Sequence, residues 1–120
     1  MKPYRTIIAT ILAVFIALAQ AQAPTSAQAN EILAKKSGCY RCHRPIEDKR
    51  AVGPTFGEIA NKYRTDSLSK DKLLEKVKRG GKGNWTEISH GVPMPPFSGR
   101  LSDQEIQQLV DWILKGQTEN

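Results

Sequence analysis

The alternation of apolar and polar residues has the 3.6-residue period of amphipathic helices in four places. Phe56, Ile59 and Tyr63 illustrate the spacing, because they recur along one helical face. No run of useful length alternates with the period of two that a half-buried strand requires. The pattern therefore predicts an all-α domain, and its four helices lie within residues 30–36, 56–63, 69–80 and 102–116.

The ends of these helices are predicted from capping residues. Asn30 is a suitable N-cap for a first helix that begins at Glu31. Ser69 can cap the third helix, and Gly80 is a suitable stop for it. Ser102 opens a capping box at the start of the last helix, which makes that helix the best defined of the four.

A long irregular segment separates the third helix from the last. Between Gly80 and Gly99 the chain has five glycines and three prolines, so we expect no regular structure there. A loop of that length inside a compact domain is usually functional. Met94 lies within it, between Pro93 and Pro95, where the fixed proline φ angles favour a stiff, extended backbone that presents its side chains.

The start of the chain has the layout of an export signal. A basic start precedes a nearly unbroken apolar run over residues 7–19, and small residues alternate with glutamine after it. The run is shorter than the roughly 18 residues that a membrane span needs. We expect residues 1–29 to be a signal peptide that is cleaved after Ala29 or Ala21, with Ala29 favoured by the Asn30 cap, and the domain to cover 30–120.

Composition limits the size, the partners and the use of the cysteines. The 120 residues allow one domain, and export would remove Lys2 and Arg5, which leaves 16 basic against 12 acidic residues and a net charge of +4. Basic clusters occur without a nucleic-acid motif, so we expect no nucleic-acid partner. The chain has only two cysteines, and an exported pair closes as a disulfide unless other chemistry uses the thiols.

The run over Cys39–His43 matches the C-x-x-C-H pattern of c-type haem attachment. Two cysteines three apart lie on one side of a tight turn, where each sulfur can form a thioether to a haem vinyl group, and the next histidine reaches the iron. A thioredoxin-like redox pair would need a βαβ context. A zinc site that also used His90 would place the adjacent Cys42 and His43 on one tetrahedral ion. A structural disulfide leaves the histidine unexplained.

The mature chain offers two candidates for a sixth ligand to a haem iron. Met94 is its only methionine, and His90 is its only histidine besides His43. We predict Met94 as the ligand and His90 as a polar loop residue. Histidine and methionine would fill both axial positions, which favours an electron carrier over an enzyme. The alternatives are a haem enzyme or gas-binding sensor with a labile sixth ligand, and an electron-transfer subunit of a periplasmic oxidoreductase complex.

The order of these motifs resembles that of the small bacterial class I cytochromes c that carry electrons in the periplasm. The C-x-x-C-H run at 39–43 is followed by Val-Gly-Pro at 52–54, by Met94 among prolines and by Asp-Trp-Ile-Leu at 111–114. The resemblance covers essentially all of the mature chain. It implies the class I cytochrome c fold, with short helices and long loops wrapped around one haem.

The resemblance also implies roles for individual residues. Cys39 and Cys42 would hold one haem c covalently, and His43 and Met94 would ligate its iron. The carbonyl of Pro54 would accept a hydrogen bond from the proximal histidine and fix the orientation of its ring. By the same resemblance the protein would be a periplasmic monomer that exchanges electrons with a reductase, an oxidase or a dehydrogenase.

Two segments look longer than in the smallest members of that family. They lie between His43 and Pro54 and between Trp85 and Met94. In the family such a tryptophan often donates its indole N–H to a haem propionate, so Trp85 is interpreted either as that donor or as a packing residue. Trp112, on the last helix, is predicted to be a core residue.

The basic clusters supply a hypothesis about the redox partner. If the partner is acidic around its redox centre, its electron-transfer rate with this protein should fall as ionic strength rises. Lys35, Lys49 and Lys82 represent the three clusters and are the positions at which charge reversal would test the idea.

Overall fold

A computed structural model describes residues 23–44 and 50–117, and this part of the chain contains five α-helices. A 3₁₀ turn over Cys39–Arg41 follows the first helix. The described residues contain no strand, only an isolated antiparallel bridge between Gly81 and Met94, so the all-α prediction is confirmed. None of the described helices is long and apolar enough to cross a membrane. The helices are α1 Ser26–Lys36, α2 Phe56–Tyr63, α3 Ser69–Arg79, α4 Thr86–Ser89 and α5 Asp103–Leu114.

Helix α1 begins earlier than the sequence pattern predicted. Thr25 is its N-cap, and the Thr25 hydroxyl accepts the backbone N–H of Gln28 at 3.3 Å. The Gln28 side-chain oxygen accepts the Thr25 N–H at 3.0 Å, which completes a capping box. The prediction that Asn30 caps this helix is therefore wrong, because two otherwise unpaired N–H groups are already satisfied one turn earlier.

The remaining helices follow the predicted pattern with one change at a cap. The prediction that Ser69 caps helix α3 is wrong, because the N-cap is Leu68 and Ser69 is the first helical residue. The Leu68 N–H is instead accepted by the side chain of Asp66 at 2.9 Å. Gly80 ends α3, and the Ser102 capping box opens α5, as the sequence predicted.

The loop between α3 and α5 is less irregular than expected. Residues Thr86–Ser89 form the short helix α4, directly after Trp85. The chain then reverses through His90 and Gly91, which both have positive φ angles of 49° and 81°. The expectation of no regular structure from residue 80 to 99 is therefore wrong for this one turn, which hydrophobic periodicity cannot detect in four residues.

Helix α5 lies at the centre of the fold, because α1, α2 and α3 all contact it. Trp112 on this helix is only 4% exposed, which confirms its prediction as a core residue. Ala34 is the contribution of α1 to the core and is completely buried. The core cluster consists of Ala34, Phe56, Ile59, Phe97, Leu101, Ile106, Leu109, Val110, Trp112 and Ile113.

Candidate haem-binding site

The C-x-x-C-H run folds as a tight turn that is set up by a glycine. Gly38 has a φ of 82° and a ψ of 14°, a left-handed conformation that ends α1 and suits a residue without a side chain. The chain then forms a 3₁₀ turn, and the Cys39 carbonyl accepts the N–H of Cys42 at 3.2 Å and that of His43 at 2.9 Å. This turn brings both cysteines and the histidine into one short, hydrogen-bonded unit.

Both thiols are free and half-buried. Burial raises the pKa of the Cys39 thiol, although a backbone hydrogen bond opposes the shift. Redox-active C-x-x-C pairs depend on a lowered thiol pKa, so the direction found here argues against a thioredoxin-like reaction. The described residues contain no group of three or more His, Cys, Asp or Glu side chains that could hold a metal ion, so the zinc alternative with His90 gains no support.

The imidazole of His43 is oriented by a backbone carbonyl. Its Nδ1 lies 2.7 Å from the oxygen of Pro54, and an Nδ1–H that donates to this oxygen leaves Nε2 as the ring nitrogen for a metal. Burial lowers the pKa of His43, while the bond to Pro54 acts in the opposite direction. The neutral imidazole is the form that binds metals. The hydrogen bond predicted between these two residues is present.

Two residues that the sequence analysis did not assign to the site also hold the His43 ring. A Cβ atom at Gly53 would lie 3.0 Å from Cε1 and 3.1 Å from Nδ1 of His43, so only glycine leaves the ring its present position. Phe56 stacks against the His43 ring itself, with ring centroids 5.5 Å apart and an interplanar angle of 19°. The Gly53-Pro54 dipeptide was the available signal for the first contact, whereas helical spacing marked Phe56 only as a core residue.

Met94 is held through its main chain. Its N–H donates to the Gly81 carbonyl at 3.2 Å, and its carbonyl accepts the Gly81 N–H at 2.8 Å. The side chain is half-buried and packs against the hydrophobic core, as do those of Cys39 and Trp85. The structure therefore brings Met94 to the same core that borders the C-x-x-C-H turn. His90, by contrast, is an exposed residue at the end of α4.

Trp85 precedes α4 and is partly buried against the core. The ammonium group of Lys62 lies 4.2 Å from the centre of its ring, a distance typical of a cation–π contact. Trp85 therefore makes the packing contacts that one of its two interpretations requires. Lys62 did not stand out in the sequence, because it is one of many exposed lysines on helix surfaces.

A family model described as cytochrome c matches residues 19–117 of this chain. Cytochrome c-551 of Allochromatium vinosum is 44% identical over 89 residues, which are 74% of this chain and 87% of that protein. Cytochrome c-552 of Hydrogenobacter thermophilus is 43% identical over 86 residues, which are 72% of this chain and 80% of that protein.

A solved structure shows the same fold. The crystal structure of wild-type cytochrome c552 of Nitrosomonas europaea superposes with a TM-score of 0.59 and 37% sequence identity. The match covers 70% of this chain and 95% of that one. The fold expected from the motif order is therefore confirmed at the level of tertiary structure.

Proposed function

The chain belongs to the cytochrome c family, and from that premise we propose that it is a periplasmic electron carrier whose haem iron is ligated by His43 and Met94. The family, together with the spacing of Cys39 and Cys42, gives it one covalently bound haem c and one-electron transfer as its activity. The observation that carries the ligand proposal is the 2.7 Å contact between Nδ1 of His43 and the Pro54 carbonyl. That contact commits Nδ1 of His43 and leaves Nε2 available to a metal, which supports the His43 part of the proposal.

The residues of the site fit a c-type haem. Two free thiols lie in one tight turn, an imidazole whose pKa is lowered by burial follows them, and a thioether is presented from a stiff proline-rich segment. When bound, haem c supplies an iron that changes between the ferric and ferrous states by one electron. Softer donors such as the Met94 thioether favour the ferrous state and raise the reduction potential.

The remaining residues hold and cover the imidazole of His43. The Pro54 carbonyl fixes the tautomer and the orientation of His43. Phe56 covers the imidazole and also contacts Trp112 edge-on, with ring centroids 5.6 Å apart. A rigid site changes little when the charge on it changes, which suits a carrier that gains and loses electrons repeatedly.

The proposed ligand pair also separates a carrier from the alternative functions. His43 and Met94 would together hold the iron and would leave no ligand position open for oxygen or a small substrate, which a haem enzyme or gas sensor would require. The relatives are themselves named as cytochromes c-551 and c-552. We propose a monomer that meets its redox partners transiently, in preference to a fixed subunit of an oxidoreductase complex.

Export to the periplasm remains part of the proposal, with a revised cleavage site. The apolar N-terminal segment lies in residues 1–22, outside the described part of the chain. A cut after Ala29 would remove the capping box of Thr25 and Gln28 and the first turn of α1, whereas a cut after Ala21 would keep them. We therefore propose cleavage after Ala21, which the intact mass of the exported protein would test.

The structure narrows the choice of cations that could meet an acidic partner. Lys35 pairs with Glu31 at 2.6 Å, and Lys49 lies outside the described residues. Lys82 is exposed, has no carboxylate partner among the described residues, and directly follows the residue that bridges to Met94. Four other cations of this region pair locally, namely Lys70 with Asp111, Lys72 with Asp66, Lys78 with Asp103 and Arg79 with Glu75.

We propose that Lys82, together with the exposed Val92 near Met94, contacts a redox protein with acidic residues around its redox centre. Surface charges steer such encounters and are screened over about 10 Å at 0.1 M salt. The second-order rate with an acidic partner should then fall as salt rises, and this dependence should weaken in Lys82→Glu. Lys35→Glu is the control, because it changes the net charge by the same amount at a lysine that is paired with Glu31, and it should keep the salt dependence of the rate. Rates that do not depend on salt, or that rise with it, would contradict an acidic partner.

Spectra and a redox titration of the purified protein test the proposed function. The oxidised form should show the weak methionine-to-iron charge-transfer band near the red end of the spectrum. The titration should follow a one-electron line, with about 59 mV for each tenfold change in the ratio of oxidised to reduced protein. A ferrous protein that binds carbon monoxide readily without any change in sequence would instead favour the sensor or enzyme alternative.

A further inference from the structure

We propose that Gly80 is a positioning residue for Met94. The absence of a side chain at Gly80 lets the main chain of residues 94–96 lie directly against the end of α3, and this contact determines where the thioether of Met94 is presented. The inference rests on the proposed ligation of iron by Met94 and extends it, because it assigns the control of the sixth ligand to a residue that lies fourteen positions earlier.

The space beside Gly80 is filled by backbone atoms. A Cβ atom at this position would collide with the carbonyl oxygen of Met94 and would lie 2.7 Å from the carbonyl carbon of Pro95 and 2.8 Å from the nitrogen of Pro96. A flexible side chain could rotate out of such a contact, but main-chain atoms between prolines cannot. Any side chain at Gly80 must therefore push the whole segment away from α3.

Hydrogen bonds hold the same segment against the helix end. Besides the two bonds between Gly81 and Met94, the N–H of Phe97 donates to the Val77 carbonyl at 3.1 Å and that of Ser98 to the Lys78 carbonyl at 3.3 Å. These carbonyls belong to the last turn of α3, where the helix itself supplies no donor. The segment that carries Met94 thus caps α3, and the two elements form one unit.

The chemistry of methionine explains why this backbone contact matters. A thioether has no hydrogen to donate and is only a weak acceptor, and the side chain has three rotatable bonds. A strong hydrogen bond therefore cannot orient the thioether in the way that the Pro54 carbonyl orients the imidazole of His43. The position of the Met94 Cα, which the contact with Gly80 sets, is the main constraint on where the sulfur can reach.

Gly80 requires glycine for two reasons, the collision of a Cβ atom and the positive φ of its backbone. Two other glycines allow these reasons to be separated. Gly80 has a φ of 65° and a ψ of −144°, which side chains rarely permit. Gly91 also has a positive φ, of 81°, but a Cβ there would meet nothing within 4 Å. At Gly99 a Cβ would meet nothing, and the φ is not in the positive region.

The test compares Gly80→Ala with Gly91→Ala and Gly99→Ala in the haem-loaded protein. Gly80→Ala should keep its covalent haem but lose the methionine-to-iron band, lower its reduction potential and bind cyanide at least about tenfold more tightly, in the direction of Met94→Ala. Gly91→Ala, which has backbone strain without the collision, and Gly99→Ala, which has neither, should keep the band. A normal band and potential in Gly80→Ala would overturn the inference.

A double variant shows whether Gly80 acts through Met94. In the Met94→Ala background, the added Gly80→Ala change should leave cyanide affinity and potential unaltered, because the ligand that it displaces is already absent. Equal effects of Gly80→Ala in both backgrounds would overturn the inference. If the wild type lacks the band, or if Met94→Ala leaves it intact, the proposed ligation itself fails, which is a separate result.

Hydrogen exchange of the wild type keeps the inference testable if Gly80→Ala does not fold. As denaturant is added, the methionine-to-iron band should disappear together with the protection of the Gly81 and Phe97 amides, since both depend on the same contact with α3. If these amides exchange freely while the band persists, the contact does not position Met94.

Discussion

The two sides of the proposed haem site are held by different kinds of contact. On the His43 side, the Pro54 carbonyl and the stacked ring of Phe56 touch the ligand ring itself, and the lack of a side chain at Gly53 leaves it room. On the Met94 side, the hydrogen bonds that hold the proposed ligand act on its main chain, through the bridge to Gly81, and its side chain only packs against the core.

The difference follows from the chemistry of the two side chains. An imidazole has an N–H to donate and a flat face on which a ring can stack, so residues nearby in the sequence can orient it directly. A thioether has neither, so its orientation must come from the backbone that presents it. Variants on the His43 side should therefore change the position of the imidazole directly. Variants on the Met94 side should change the path of the main chain that presents the thioether.

The largest effect is expected where the haem is attached. Changing Cys39 and Cys42 together to Ala should abolish the retention of haem after acid–acetone extraction, because axial coordination alone is lost when the chain unfolds. The absorbance of the protein pellet at the haem maximum measures retention. Met94→Ala is the contrasting variant and should retain all of its haem. Extraction of haem from the unmodified protein would show that no thioether forms.

The next largest effect concerns the sixth ligand. Met94→Ala should open the sixth position, admit cyanide or carbon monoxide, and lower the reduction potential by a substantial part of the roughly 0.8 V range that axial ligands span. His90→Ala should change neither property, because His90 is an exposed residue at the end of α4. A normal spectrum in the Met94 variant and a perturbed one in the His90 variant would transfer the ligand role to His90.

The two sides also differ in how far a sequence could predict them. The His43 side lies within one short stretch, and the family resemblance to which the C-x-x-C-H run and the Gly53-Pro54 dipeptide contribute implied the ring contact with Pro54 that the structure contains. The role of Gly80 depends on which atoms lie opposite it, and those atoms belong to residues fourteen or more positions later. A single sequence shows Gly80 only as a helix stop and gives no sign of that contact.

The start of α1 differs from the prediction for another reason. The pattern of an export signal extends up to Asn30, and it obscures the Thr25–Gln28 pair that caps the helix. The helix needs that pair, since a capping box satisfies N–H groups that would otherwise lack a partner. Local motifs of this kind can be recognised from sequence, but only where the segment has been assigned to the folded domain.

A smaller effect is expected when the His43 side is crowded. In Gly53→Ala the new methyl group would press on the His43 ring, which should lower the free energy of unfolding by about 1 to 3 kcal/mol and shift the reduction potential. Gly57→Ala is the control, because this exposed helical position has room and the change should stabilise by roughly 0.5 to 1 kcal/mol. Chemical denaturation and voltammetry measure both. Equal potentials in the two variants would show that the ring does not move.

Trp85 tests whether an aromatic side chain acts on the haem or only packs. If the indole N–H binds a propionate, Trp85→Phe should lower the reduction potential, and we expect the change to cost less than about 1.5 kcal/mol of stability. Lys62→Gln removes the cation above the ring and should cost about 0.5 to 1 kcal/mol with a smaller change in potential. Voltammetry decides: an unchanged potential in Trp85→Phe would leave packing as the only role of Trp85.

The smallest effects are expected from removing two helix caps, which are both a hydroxyl paired with a glutamate. Thr55 caps α2 with Glu58, and Ser102 caps α5 with Glu105, through hydrogen bonds of 2.7 to 3.2 Å. Thr55→Ala and Ser102→Ala should each lower the free energy of unfolding by about 1 kcal/mol. Only Thr55 directly follows Pro54, whose carbonyl orients the histidine, so only Thr55→Ala should also alter the electron paramagnetic resonance spectrum of the oxidised protein.

The free energies of unfolding of Ser102→Ala and of the wild type should differ less at acid pH than at neutral pH. Hydrogen bonds from the Ser102 N–H and hydroxyl lower the pKa of Glu105 in the folded protein. A carboxyl with a lowered folded-state pKa stabilises the fold above its ordinary pKa, and this contribution is lost as the pH falls through the folded value. Unfolding of both proteins at neutral and acid pH would measure it. Because the backbone N–H of residue 102 remains in the variant, a constant difference across that range would mean that the bond from the Ser102 hydroxyl to the Glu105 carboxylate contributes nothing.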